Sequence, residues 1–326
     1  MNRTNHILAG VLSCLLLLSC AGCGTARTVS SAGAGVKSVA QVRQGPDVTS
    51  PEAGKPGDLP GEDNGYLVAE KIGEQVTLDL DGDGQEDELS VSVEDMAYRE
   101  KDAAWTEPKL TSFVINGQEF ADPDRENPLE AYDVMLITPE TDRYYIADLD
   151  TTDNALEIAL LDAGPSADFV TWYFHYRDGK LMPIGILPGY PEDEVSRRDG
   201  NGNVMAKGRL DLLQTWYATF SFHLREGKLE MVPQSWYIPL QDFQNVVTLK
   251  QTLTLYATPD KKAEPLTVMP SKQVVTFPST DNDHWVQMRL QDGTEGWIYM
   301  LDPITIESDG EALMAQDVFA NLNLSD

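Results

Sequence analysis

Residues 172–185 read WYFHYRDGKLMPIG, and residues 220–233 read FSFHLREGKLEMVP. The two stretches share His, Arg, Gly, Lys and Leu in one register, so that His175 aligns with His223. In both, alternating residues lead into an acidic residue followed by glycine, and an alternating strand returns, which is the pattern of a β-hairpin. Residues 113–120, FVINGQEF, have the same shape around an Asn-Gly pair. Three copies of one hairpin predict a repeated sheet unit.

A second repeat precedes the hairpins. Residues 79–89, DLDGDGQEDEL, align without gaps with residues 148–158, DLDTTDNALEI, and RRDGNGNVMA at residues 197–206 is a weaker relative. The order of acidic loop, strand and hairpin therefore recurs three times between about Gly65 and Leu240. This order predicts an all-β fold built as a row of antiparallel sheets.

The first acidic loop has the composition of a calcium loop. Calcium takes six to eight oxygen ligands, and a loop that offers them at alternate positions surrounds one ion. Here those positions hold four carboxylates and one backbone carbonyl, from Asp79, Asp81, Asp83, Asp87 and, through the carbonyl, Gln85. The LSVSV that follows alternates with a period of two, so no EF-hand helix is expected. The alternative is a solvated Asp/Gly turn, in which the four carboxylates would repel one another.

The other two loops depart from this pattern. Thr152 and Leu156 occupy the places that Asp83 and Asp87 have in the first loop. The weaker metal candidates of the second loop are Asp148, Asp150, Asp153 and Glu157. The third loop begins with Arg197, whose guanidinium cannot bind calcium, so a simple turn is expected there.

The first loop also resembles a known family. Asp-x-Asp-Gly-Asp-Gly-x-x-Asp in front of alternating apolar residues is similar to the calcium loops of FG-GAP/VCBS repeats, which build the blades of integrin-type β-propellers. The resemblance is good over residues 79–93 and moderate over residues 148–160. It implies a calcium ion that pins the loop, in a repeat domain over residues 65–240. Three units are fewer than the four to eight blades of a closed propeller, so we expect an incomplete, propeller-like domain.

The C-terminal part changes in character. From Val247 to about Pro303, short strands alternate with turn residues at close spacing, which predicts a small β-barrel. The segment resembles the bacterial SH3-like domain through Leu253, Leu255, Tyr256, Pro259, Trp285, Asp292, Gly293, Gly296, Trp297 and Ile298. This resemblance, over residues 245–305, implies an aromatic groove for cell-wall peptides, to which Tyr256, Trp285 and Tyr299 would contribute. The alternative is that the tryptophans fill a small core. Within the tail of residues 306–326, the stretch EALMAQDVFANLNL has apolar side chains at helical spacing, which predicts one short helix.

The N-terminus has the features of an export signal. Arg3 precedes the apolar run ILAGVLSCLLLL, and LLSC follows the lipobox pattern of bacterial lipoproteins. The resemblance implies a signal peptide over residues 1–19 and lipidation of Cys20, with Cys23 as the second choice; cleavage without lipidation is the alternative. Residues 20–64 are small, polar and rich in Pro and Gly, as expected of a flexible tether.

Composition and motifs limit the function classes. The chain has 53 Asp and Glu against 24 Lys and Arg, a formal charge of -29, which disfavours a nucleic-acid partner. The three cysteines all lie in or beside the signal segment, and the sequence motifs of serine hydrolases, zinc proteases and nucleotide-binding proteins are absent. We therefore expect a non-catalytic, extracytoplasmic lipoprotein anchored to the bacterial membrane, which contacts peptidoglycan or envelope proteins. A wall-remodelling enzyme that uses paired carboxylates and an accessory docking lipoprotein are the alternatives.

Overall fold

The computed structural model describes residues 65–100, 103–120, 137–163, 168–240, 246–263 and 265–324. Within these ranges all regular structure is β except for one helical turn, and the strands form four antiparallel sheets. The predicted all-β class is thus confirmed.

Three of the sheets are the predicted repeats. Strand β1, Tyr66–Lys71, comes first and pairs with β6 at the edge of the second repeat sheet. The first repeat sheet has the order β2-β3-β4-β5, which span Gln75–Leu78, Asp87–Glu100, Ala103–Ile115 and Gln118–Phe120. The second repeat sheet continues from β6 as β6-β7-β8-β9, which span Arg143–Asp148, Glu157–Asp162, Val170–Arg177 and Lys180–Pro188. The third repeat sheet has the order β10-β11-β12-β13, which span Arg197–Arg198, Asn203–Leu210, Trp216–Arg225 and Lys228–Met231.

The hairpin of each repeat sheet closes through a two-residue turn. Both turn residues have positive φ, as a type I′ turn requires. The pairs are Asn116 and Gly117 at 52° and 75°, Asp178 and Gly179 at 53° and 69°, and Glu226 and Gly227 at 50° and 73°. The turns lie between β4 and β5, β8 and β9, and β12 and β13, where the repeated sequence predicts them.

The repeat sheets pack against one another through their faces. One core cluster joins the first and second repeat sheets, with Phe113 and Phe174 in ring contact at 4.9 Å. A separate cluster joins the opposite face of the second repeat sheet to the third, where Tyr173 and Val204 are both buried. Because both faces of the second repeat sheet are covered, its strand β6 is buried at five successive positions after Arg143. The repeat sheets thus form the predicted row.

The fourth sheet, called the C-terminal sheet, has nine strands. Seven follow the order β16-β15-β19-β18-β17-β14-β22, and β20 and β21 extend it from β19. Strands β14 to β22 span Val246–Leu249, Leu253–Tyr256, Pro265–Met269, Val274–Thr276, Trp285–Leu290, Glu295–Asp302, Thr305–Ser308, Glu311–Met314 and Phe319–Ala320. The prediction of a small closed barrel is therefore wrong: among the described residues the hydrogen bonding of this sheet does not close, because β16 and β22 remain at its two ends.

The predicted C-terminal helix is limited to one turn. Helix α1 spans only Ala315–Val318, between β21 and β22. The reason is a fourth type I′ turn, in which Asp309 and Gly310 have φ of 53° and 81° and join β20 to β21. This hairpin signal outweighs the helical spacing of the apolar residues around it.

The third repeat sheet and the C-terminal sheet share one core. Leu210 and Trp216 of the third repeat sheet belong to the same buried cluster as Val286 and Phe319 of the C-terminal sheet. The sequence boundary near residue 240 is therefore not a boundary in packing.

Candidate functional site

The first acidic loop, residues 79–86, joins β2 to β3 and folds back on itself. Asp79 Oδ2 accepts a hydrogen bond from the Gly84 amide at 3.1 Å, and Asp81 Oδ1 accepts one from the Asp83 amide at 3.2 Å. Gly84 has a φ of 88°, a conformation that residues with a Cβ rarely adopt. The loop therefore places its first carboxylates close to the start of β3.

Three carboxylates converge at this loop. Asp79, Asp81 and Asp87 each offer an oxygen within 4.8 Å of the others. Asp87 is only 7% exposed. Asp79 Oδ1 is buried and accepts no hydrogen bond from the described residues. Burial, and then the charges of Asp83, Asp87 and Asp79, raise the pKa of Asp81. Three carboxylates, one of which also has a buried oxygen without a hydrogen-bond partner among the described residues, have the chemistry that calcium requires.

The structure leaves Asp83, one of the five predicted ligands, outside this cluster. Asp83 is exposed, and its two oxygens accept from the amide and the side chain of Gln85 at 2.7 and 2.9 Å. Asp83 is therefore held by its neighbour, and Gln85 is exposed as well.

Two residues that the sequence pattern did not select hold the cluster in place. Asn116 Nδ2 donates to Asp87 Oδ1 at 2.6 Å, and Asn116 Oδ1 accepts from the Glu88 amide at 2.9 Å. The other oxygen of Asp87 accepts from the Leu80 amide at 3.0 Å. Asn116 belongs to the turn between β4 and β5, so the Asn-Gly signal marked a turn and also a residue that orients Asp87.

Tyr176 brings the second repeat sheet to the same place. Its pKa is raised chiefly by burial and then by the charges of Asp87, Asp81 and Asp83, and a hydrogen bond links its phenol to Asn116. Nothing in the sequence pattern of β8 indicates this contact, because it depends on how the two sheets pack.

The carboxylates of the second loop turn to other partners. Asp150 Oδ1 accepts from the amide and hydroxyl of Thr152 at 3.1 and 2.7 Å. Asp153 accepts from the Ala155 amide at 3.0 Å and faces the Arg177 guanidinium at 3.4 Å. Within the described ranges, the first loop alone gathers three potential metal-binding side chains, so the four weaker candidates do not form a second cluster.

The Glu157 carboxylate is buried and hydrogen-bonded within the protein. It is 1% exposed, accepts from the Leu149 amide at 3.0 Å and lies 3.4 Å from His175 Nδ1. Burial raises the pKa of its carboxyl group, and the hydrogen bonds with His175 and the Leu149 amide oppose this effect. Asp148, the remaining candidate, is buried at 8% exposure.

The third loop is a turn, as the sequence predicts. Asp199 accepts from the amides of Asn201 and Asn203 at 2.8 and 3.0 Å and from the Asn203 side chain at 2.6 Å. His223 Nδ1 lies 2.8 Å from Asn203 Oδ1. Amide donors thus satisfy the single carboxylate.

The three loops touch in sequence order. The Leu156 amide donates to the Leu80 carbonyl at 2.8 Å, and the Gly202 amide donates to the Leu149 carbonyl at 2.7 Å. A Cβ at Gly82 would lie 2.9 Å from the carbonyl carbon of Asn154, so the first and second loops are in close contact. The metal-binding candidate therefore lies beside the second loop, at one end of the row.

The predicted aromatic residues of the C-terminal sheet also converge. The ring centroids of Tyr256 and Trp285 are 5.5 Å apart, and those of Trp285 and Tyr299 are 5.0 Å apart. Trp285 is 9% exposed, whereas Tyr256 and Tyr299 are half-buried. We call these three residues the aromatic cluster.

The candidate lipidation sites Cys20 and Cys23, with the signal segment and the tether, lie outside the described residues. In the part of the chain that is described, no helix has the length and apolar character needed to cross a membrane.

Comparison of the chain with protein-family models, with curated proteins and with solved structures gave no match. The function of the protein is therefore inferred from the geometry of the acidic loop and the aromatic cluster.

Proposed function

We propose that this protein is a non-catalytic binding protein of the bacterial envelope, whose row of repeat sheets is stabilised by calcium at the first loop. The observation that carries the proposal is the convergence of Asp79, Asp81 and Asp87, in which Asp79 Oδ1 is buried without a hydrogen-bond partner among the described residues. Such a cluster is costly without a cation, because like charges in a partly buried site repel one another.

A calcium ion would supply the positive charge that the cluster lacks. Asp79, Asp81 and Asp87 would hold it, while Asn116 and the Leu80 amide orient Asp87. Because Asp79 follows β2 and Asp87 begins β3, an ion held between them would fix the two strands of the first repeat sheet at that end.

The proposal also includes the location of the protein at the membrane. The LLSC sequence supports lipidation of Cys20, with Cys23 as the second choice, and the polar segment after it supports a tether to the membrane. The aromatic cluster of the C-terminal sheet supports a role in binding cell-wall or envelope-protein ligands, since half-exposed rings over a buried floor are typical of binding grooves.

Thermal unfolding of the full chain, in calcium and in chelator, tests the calcium proposal. At a calcium concentration about 100 times Kd, binding to the folded state adds about 2.7 kcal/mol, which corresponds to a rise in Tm of about 5 to 10 °C. Asp81→Ala should abolish this rise, and Asp83→Ala should reduce it less, since Asp83 lies outside the cluster.

Asp150→Ala is the matched control, because Asp150 is the residue of the second loop that aligns with Asp81. It should leave the calcium response intact. Equal Tm values in calcium and chelator for the native chain would instead make the first loop a solvated turn.

Retention of the protein on purified wall sacculi tests the ligand-binding role. Deleting the C-terminal sheet would expose Leu210 and Trp216 of the shared core, so a point variant is the better probe. Tyr299→Ser should reduce retention while the far-ultraviolet spectrum stays unchanged. Full retention by this variant would exclude the aromatic cluster as the binding surface.

A further inference from the structure

A lysine of the chain itself extends over the aromatic cluster. Lys261 Nζ lies 4.1 Å from the centroid of the Tyr299 ring and 2.5 Å from Glu307 Oε2. The pKa of Lys261 is raised chiefly by its hydrogen bond with Glu307 and then by the charges of Glu307, Tyr299 and Tyr256. The ammonium group therefore lies between a carboxylate and the ring surface.

A tight turn presents this lysine. The Asp260 amide donates to the Thr258 carbonyl at 2.8 Å, the Ala263 amide donates to the Asp260 carbonyl at 2.9 Å, and Asp260 Oδ1 accepts from the Lys262 amide at 2.9 Å. The turn follows β15, the strand that ends at Tyr256. The local sequence TPDKKA thus forms a turn that carries Lys261 next to the cluster.

The surroundings of the ammonium have the composition of a cation site. The faces of aromatic rings attract ammonium groups through their quadrupole, and a carboxylate beside the ring adds a charged hydrogen-bond acceptor. Glu307 supplies that acceptor from β20, with its side chain 21% exposed, and Tyr299 supplies a ring from the neighbouring strand β19. The charge and ring chemistry here are those that a ligand amine would need.

We propose that the aromatic cluster and Glu307 form a binding site for the primary ammonium group of a ligand, such as the side chain of a lysine or another diamino acid in a peptide. Lys261 occupies this site in the free protein and competes with the ligand. This inference rests on the proposed ligand-binding role of the cluster and adds to it the chemical class of the ligand.

Lys261 is well suited to be displaced. Its side chain is 47% exposed, and a pair of this kind contributes little to stability, because water and salt screen it. Its departure leaves the strands of the C-terminal sheet unchanged, since the residue lies in a turn between β15 and β16. An incoming ammonium group would therefore replace one cation with another over the same ring.

Titration with a single-amine probe tests the site. The probe is N-acetyl-lysine amide, in which the side-chain ammonium is the only charge, and N-acetyl-norleucine amide is the uncharged counterpart. Binding to the full chain can be followed by Trp285 fluorescence and by NMR of the probe.

Lys261→Met removes the competing ammonium and keeps an apolar stem of similar length. Lys261→Met should tighten binding of the lysine probe by about fivefold, because the Lys261–Glu307 pair fills the site in most molecules of the free native protein.

Two further variants complete the design. Lys262→Met, at the next residue of the same turn, changes the net charge by the same amount and should leave the affinity at the native value. Glu307→Gln, placed in the Lys261→Met background, should weaken binding of the lysine probe by about fivefold, because the carboxylate is lost while the shape is kept.

Three results would overturn the proposal. They are equal affinities for Lys261→Met and Lys262→Met, equal binding of the lysine and norleucine probes, and no binding of the lysine probe to Lys261→Met. If sacculus retention still depends on Tyr299 when one of these is found, only the ligand class fails. If retention is independent of Tyr299 as well, the proposed binding role of the cluster fails with it.

Discussion

The first and second acidic loops align residue for residue and join equivalent strands, yet they differ in how their carboxylates are satisfied. In the second loop, Arg177 faces Asp153 and His175 lies against Glu157. In the first loop, Asp79, Asp81 and Asp87 each offer an oxygen within 4.8 Å of the others. The two loops therefore join equivalent strands but differ in the groups that surround their carboxylates.

The difference originates in the hairpins as much as in the loops. Counted back from the type I′ turn, the places of His175 and Arg177 in β8 correspond to Phe113 and Ile115 in β4. Both of those residues are fully buried. The first repeat sheet therefore uses these two positions for its core, and neither of them supplies a cation to the acidic loop. In the proposed function, a calcium ion at the first loop takes the place of the basic side chains that β8 supplies to the second loop.

Glu157→Ala should lower the stability of the protein the most. The change leaves the Leu149 amide and the His175 ring without their acceptor in a site of 1% exposure, and should lower the free energy of unfolding by about 3 kcal/mol. Denaturant unfolding should give the same loss in calcium and in chelator. In the first loop Asp87 accepts from the Leu80 amide as Glu157 does from the Leu149 amide, and Asp87→Ala should cost more in calcium than in chelator. A calcium-dependent loss for Glu157→Ala would mean that the second loop also binds the ion.

The next effect concerns Asn116, which orients Asp87 from the hairpin turn. Asn116→Gly keeps a residue that tolerates the φ of 52° but removes the side-chain bond to Asp87. Calcium affinity, measured by calorimetry, should fall about tenfold, the usual loss when a residue that supports a metal ligand is removed. The control is Asp178→Gly, at the equivalent turn position of the second repeat sheet. Equal calcium affinities in the two variants would show that Asn116 acts only on the turn.

A more modest effect should appear in the pH dependence of stability. Burial raises the folded-state pKa of Glu157 above its usual value near 4.5. The stability linked to this shift is therefore complete below about pH 4.5 and lost as the pH rises through the folded pKa. Glu157→Gln stays neutral, so the native chain should lose stability relative to this variant as the pH rises above about 4.5 and through the folded pKa, by about 1.4 kcal/mol for each pH unit of difference in pKa. A pH-independent difference between the two chains would contradict this reasoning.

Arg177→Met should change stability least. The pair with Asp153 is half-exposed, with side-chain exposures of 49% and 33%, and should contribute less than about 0.5 kcal/mol. The variant still has Leu156 where the first loop has Asp87, so it should not respond to calcium when Asp81 is also changed to Ala. A calcium-dependent rise in Tm in that double variant would show that removal of the protein's own cation is sufficient to create a metal site.

Several features of the fold were predictable from local sequence. The repeated hairpins could be recognised because Asn-Gly, Asp-Gly and Glu-Gly pairs favour the positive φ of a type I′ turn, and the structure has these turns at Asn116, Asp178 and Glu226. The spacing of acidic residues selected Asp79, Asp81 and Asp87, which the structure brings together. It also selected Asp83, whose oxygens instead bind the adjacent Gln85. Spacing alone does not reveal which side chains of a loop turn inwards.

The C-terminal part shows the limit of such reasoning. The apolar spacing of residues 311–320 fits a helix, but pairing of β21 with β20 and of β22 with β14 determines the outcome. The sequence boundary near residue 240 is also crossed by a single core, in which Trp216 and Phe277 make a T-shaped contact with their ring centroids 6.0 Å apart. Both results depend on partners that are distant in the chain.

Local sequence was sufficient to establish the all-β class, the threefold order of loop, strand and hairpin, and the acidic character of the first loop. These properties follow from turn preferences, alternation and charge, which act between residues close in the chain. Three-dimensional packing was needed to show that Asn116 and Tyr176 support the carboxylates, that Arg177 and His175 balance the second loop, and that Lys261 lies over Tyr299. No local pattern specifies these contacts, because each forms between segments that only the packing of sheets and turns brings together.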